Sequence, residues 1–169
     1  MADDTIPKRL RILRALTEKL TEITPTNGYQ TNVSENVYRG RARFGEGDPV
    51  PMIAILQSPR TLDIPPSPGA GAIRKTPLEL LIQGFCVDDF QHPTDPAEVM
   101  MADTKRCLAE IIAALGKRPY VWNEIETLSI GPGVCRPPDE EISAVAYFWL
   151  SVTIEFTENV TDPYAVPAA

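Results

Sequence analysis

The sequence predicts an α+β domain in which two helices pack on one face of a mostly antiparallel sheet, with a long hairpin arm. Three observations point there. Two separated stretches, Ile6–Ile23 and Asp95–Leu115, repeat apolar residues at three- and four-residue steps, as amphipathic helices do. Between and after them lie apolar or alternating runs of strand type. Ser58–Thr76, SPRTLDIPPSPGAGAIRKT, joins two such runs and follows neither period. The strand signal is clearest at Ser143–Phe156, SAVAYFWLSVTIEF. Successive strand side chains point to opposite faces. Ala144, Ala146, Phe148, Leu150, Val152, Ile154 and Phe156 therefore make one wholly apolar face. Val145, Tyr147, Trp149, Ser151, Thr153 and Glu155 make a second, which begins aromatic and ends polar. The aromatic half invites a partner, with Tyr147 and Trp149 as its candidate contacts.

A chain of 169 residues is one domain by size. Its core is expected over residues 5–157, with the arm at 58–76 and a tail at 158–169. The net charge of −7 argues against a nucleic-acid grip, which needs concentrated basic surface. Cys86, Cys107 and Cys135 are odd in number and form no C-x-x-C pair, so they read as reduced thiols in or near the core. No apolar run reads as a signal peptide or is long enough to cross a bilayer.

Taken in order, Asp3 and Asp4 favour the positive end of the first helix, and Thr24-Pro25 stops it. Lys8, Arg9, Arg11 and Arg14 on its polar side are interrupted by Glu18 and Glu22, which suits a solvated face. Asn27-Gly28 marks a turn. Tyr29–Val33 and Val37–Phe44 read as strands. A strand over 37–44 would align Arg39, Arg41 and Arg43. That row is either the solvent side of an outer strand or a docking stripe for an acidic patch on a neighbouring copy, such as Asp139-Glu140-Glu141. Val50–Gln57 is apolar enough to be covered on both sides. Arms as long as Ser58–Thr76 are commonly functional, and Leu62, Ile64 and Ile73 are its candidate contacts. Leu78–Val87 is the next strand. Asp95 reads as the N-cap of the second helix, with Pro96 in its first turn, Glu98 as a capping-box acid and Gly116 ending it. Pro119–Trp122 reads as a loop with exposed aromatics, Ile125–Ile130 as a strand, and Gly131–Glu141 as a loop.

Catalytic, cofactor and metal residues are expected to be absent. Asp88-Asp89 has no nearby carboxylate or histidine to complete a ligand set. His92 is the sole histidine and has no matched nucleophile. The Gly-rich phosphate loops, the G-x-S-x-G elbow and H-E-x-x-H are all missing.

The order of these pieces resembles a known group. An amphipathic helix is followed by NGYQTNVSENVYRGRARF, the strand PMIAILQSP, the strand PLELLIQGFCVDD, the helix DPAEVMMADTKRCLAEIIAAL and a closing alternating strand. The pattern resembles the minor tail and tail terminator proteins of long-tailed bacteriophages. That resemblance implies a homo-oligomeric ring, typically a hexamer, that caps the tail tube and joins it to the head connector. It implies tail tube and head–tail connector proteins as partners, and DNA passing through the lumen without specific binding. It implies a place in the virion after assembly in the host cytoplasm, with no membrane. The 58–76 arm and the tail from 157 are departures that the resemblance does not cover. A neighbouring neck or head–tail connector protein is the near alternative. A small ligand-binding domain or enzyme is the remote one.

Overall fold

The computed structural model describes residues 5–58, 72–116, 122 and 124–166. In order these form α1 (Lys8–Leu20), β1 (Val37–Arg39), β2 (Met52–Gln57), β3 (Ile73–Cys86), α2 (Asp95–Ala114), β4 (Thr127–Arg136) and β5 (Ala146–Asn159). The sheet order is β1-β2-β3-β5-β4. Only β1 and β2 run parallel. The long β3–β5 ladder, from Ile73 opposite Asn159 to Cys86 opposite Ala146, is its spine.

Both helices pack on one face of the sheet. Ile12, Leu16 and Leu20 of α1 and Met100, Cys107, Leu108 and Ile111 of α2 join Phe148, Leu150, Val152, Ile154 and Phe156 of β5 in one core. The period read from the sequence thus selected the inward face of β5. Large side chains buried this fully contribute about 1.5–3 kcal/mol each. Ala144 is the exception: it lies before the strand and is exposed.

Several elements differ from expectation, each for a physical reason. Tyr29–Val33 forms no strand. Gly28 adopts φ +84°, and the Asp103 carboxylate of α2 accepts the amides of Gln30 and Thr31 at 3.0 and 2.7 Å, which satisfies them without a neighbouring strand. The strand expected over Val37–Phe44 ends at Arg39, where Gly40 turns the chain at φ +79°. Asp95 is the first residue of α2; Thr94 stands at the cap, and no side chain bonds there, Glu98 included. Gly116 does turn the chain at φ +73° beyond the helix.

The strand expected from Leu78 begins at Ile73, because β5 runs on to Asn159 and supplies partners. Pro77 fits within it. Glu79 accepts a bond from Ser58 at 3.0 Å, and residues two apart bond to the same side. The missing amide of Pro77 therefore points past Gln57, the last paired residue of β2. Gly131-Pro132-Gly133, read as loop, is a bulge inside β4 between Ile130 and Gly133. A Cβ at Gly133 would stand 2.6 Å from Met101 Sδ, so glycine lets α2 approach. Trp122, expected exposed, is buried in the main core; Pro119–Val121 lie outside the described residues.

The described part of the tail folds back on α1. Lys8 N–H donates to Pro163 O at 2.9 Å. The Arg11 guanidinium, 2.7 Å from Glu124, also donates to Ile6 O at 2.6 Å and Ala165 O at 2.7 Å. One arginine thereby ties both ends of the described chain to the segment before β4.

Candidate interaction surfaces

The second sheet face carries its own smaller core. Met52, Ala54, Phe85 and Tyr147 are buried there, with Phe44, Val50, Ile142 and Trp149 packed against them. Phe85 lies 5.4 Å from Phe44 and 6.2 Å from Tyr147 between ring centres. The occupant that the aromatic half of β5 called for is therefore supplied by this chain. Residues around Phe44 and Ile142 cross over it. Tyr147, a candidate contact, is buried within one copy, while Trp149 remains half-buried.

The three arginines separate once the strand ends. Arg39 donates to Thr17 Oγ1 of α1 at 2.7 Å. Arg41 stacks 3.9 Å from the centre of the Tyr38 ring and reaches Asp48 at 3.0 Å. Arg43 lines a hollow of about 420 Å³ with Phe44, Ile142, Ala144 and the acidic loop Asp139-Glu140-Glu141. The acidic residues suggested as its partner on another copy thus share a hollow with Arg43 in the same copy. Of the arm candidates, Leu62 and Ile64 lie outside the described residues, and Ile73 is 63% exposed.

Asp139 builds the wall of that hollow. It accepts the Tyr147 hydroxyl and the amides of Glu141 and Ile142, the last two at 3.0 and 2.7 Å. The Tyr147 bond first, and the Ile142 amide next, hold its carboxyl below the usual range. This carboxylate is engaged in shaping its own loop.

A second hollow of about 280 Å³ lies at the far end of the sheet, where α1 begins and β5 ends. Pro7, Lys8, Arg9, Ile73 and Val166 are among its walls. At the opposite end of β3, the turn before α2 holds Phe90 99% exposed. Asp89 Oδ1 fixes that turn by accepting the amides of Gln91 and His92 at 2.9 and 2.8 Å. Asp88, Asp89 and His92 are the chemically conspicuous residues of this turn in the sequence, and Phe90 between them carries no expectation. The available signal was a lone aromatic in a polar turn.

Among the described residues no group of His, Cys, Asp and Glu is placed to hold a metal ion. Burial pushes the Cys86 and Cys107 thiols up to about 11, and burial followed by Glu98 pushes Cys135 up to about 12. All three therefore stay protonated near neutrality. Among the described residues no helix is long and apolar enough to cross a membrane. Compared with known proteins, the chain matches no family model and no curated relative.

Proposed function

We propose that this chain is a structural subunit of a long-tailed phage particle, a tail terminator that closes the tail tube as a ring and meets the head connector. The observation that supports it is the element order: helix, strands, a long β2–β3 connection, helix, and two closing strands folded into one helix-backed sheet. That is the order on which the sequence resemblance rests. The side chains outside the core also suit contacts between proteins. They include a fixed, fully exposed aromatic, an apolar hollow at the other end of the sheet, and a net charge of −7 that disfavours holding DNA in a lumen. In this reading the subunit performs no catalysis and assembles with itself, the tail tube and the head connector.

Antibody against the chain should label virions of the phage that encodes it at the junction of head and tail, seen by negative-stain electron microscopy. Label restricted to capsid or tail tip, or absent from the particle, overturns the tail-terminator reading.

A further inference from the structure

Nine large hydrophobic side chains are exposed among the described residues, and six gather at the two ends of the β3–β5 ladder. Val87 and Phe90 stand at one end. Ile73 and Val166 line the hollow at the other, and Val160 and Tyr164 are exposed in the segment that follows β5. At about 3.3 Å per residue the fourteen-residue β3 separates these ends by roughly 40 Å. One copy cannot close them on each other.

The two ends also differ in charge. From Thr76 to Thr104 the chain has no lysine or arginine, and Asp88, Asp89 and Asp95 flank Phe90. At the hollow, Lys8 donates to Thr157 O at 2.9 Å and its charge bears on Glu126, while Arg9 donates to the neutral Gln57 Oε1 at 2.6 Å. Arg9 is exposed, so a partner's carboxylate can reach it. Glu158 in the same hollow is held by Arg74 and Thr76, which leaves Asp162 as the opposing carboxylate among the described lining residues.

From this apolar and electrostatic match we infer that copies of this chain join end to end, the Phe90 turn of one seated in the Lys8–Ile73 hollow of the next. The inference rests on the self-assembly in the reading above and gives it a surface. The Asp89 bonds hold the turn in place before contact, so little ordering is needed when Phe90 is covered. Aromatic anchors of this kind carry a large share of interface energy. Contact between unlike patches is heterologous, and it closes into a ring when the rotation per copy allows.

Sedimentation velocity over a concentration series tests it. Wild type should assemble. Phe90→Ser should weaken assembly about tenfold or more, the loss expected from an anchor worth at least about 1.4 kcal/mol. At dilutions where wild type is monomeric its melting temperature should not move, because Phe90 is 99% exposed in the single copy. Arg9→Glu should weaken assembly too, and adding Asp88→Arg should restore part of it. In an equimolar mixture, Phe90→Cys and Val166→Cys chains should form a disulfide-linked heterodimer. Assembly of Phe90→Ser equal to wild type places the contact elsewhere and overturns the inference while leaving the ring reading standing. Wild type that stays monomeric at every concentration also overturns it, and the virion labelling then decides the ring reading separately.

Discussion

Gly84 of β3 lies directly opposite Phe148 of β5, and the Phe148 ring occupies the space a side chain at position 84 would need. An added Cβ would stand 2.0 Å from Phe148 Cε1 and 2.6 Å from Cζ. Both residues are paired on both sides, Gly84 also with Ile53 of β2 and Phe148 also with Cys135 of β4, so neither strand can yield without breaking its pairing. Gly84→Ala should therefore destabilise by at least about 3 kcal/mol, the upper end of ordinary overpacking. Urea unfolding would measure it. Combined with Phe148→Leu, which opens the site, the two costs should fall short of additivity by about 0.5–3 kcal/mol. Full additivity would mean that the ring does not exclude the side chain.

Gln83 and Trp149 form the next pair along the same ladder. Gln83 Oε1 and Trp149 Nε1 are both buried and have no hydrogen-bond partner among the described residues. A buried amide oxygen that makes no bond contributes desolvation cost without compensation. Gln83→Met, similar in length and apolar, should leave stability unchanged or raise it by up to about 1 kcal/mol. A fall of more than about 1 kcal/mol in chemical denaturation would show that the amide is bonded in solution.

The sheet face of β5 was legible because its alternation is unbroken through Ala146–Phe156 and because both helices pack on that side. What covers the other face was not legible. Phe44 and Ile142 reach Tyr147 and its neighbours by tertiary folding, and periodicity reports only one element at a time. Gly131-Pro132-Gly133 falls in a stretch expected as loop yet forms a bulge, and Pro77, just before the expected strand start at Leu78, points past the end of β2. Local chemistry cannot tell a terminator from a tolerated irregularity. The arginine row assumed a strand that Gly40 ends, so Arg39, Arg41 and Arg43 meet three different surroundings. Phe90 could have been found by asking which large apolar side chain had no periodic neighbours.

Asp103 was hidden inside the apolar stripe of α2. It is buried, and its Oδ2 holds the amides of Gln30 and Thr31 against the helix. Arg106 closes the same loop by donating to Gly28 O at 2.7 Å and lying 4.6 Å from the centre of the Tyr29 ring. Asp103→Ala leaves two amides without an acceptor and should cost about 1–3 kcal/mol. Asp103→Asn keeps a carbonyl oxygen and should lose less. Hydrogen exchange gives a second readout: the Gln30 and Thr31 amides should lose protection in the alanine variant. Unchanged protection there would mean that Asp103 does not anchor the loop.

The Tyr147–Asp139 bond makes stability depend on pH at both extremes. Asp139 is held below its ordinary pKa, first by Tyr147 and then by the Ile142 amide. A depressed carboxylate adds stability at pH above its unfolded value, near 3.9, and that stability is lost as pH falls through the folded value. Tyr147 is shifted upward, first by burial and then by its bond to Asp139, with Arg136 acting the other way. A raised phenol adds stability below its unfolded value, near 10, and loses it as pH rises through the folded value. Tyr147→Phe should therefore be less stable than wild type at neutral pH. The gap should narrow below about pH 4 as Asp139 protonates, and again above about pH 10, where the wild-type phenol ionises. Asp139→Asn keeps an acceptor without a charge, so it should flatten the acid side while retaining an alkaline loss from the buried phenol. Urea midpoints across that range check both variants. A gap between Tyr147→Phe and wild type that is constant from acid to alkali would show that the hydroxyl and the carboxylate do not share a proton-sensitive bond.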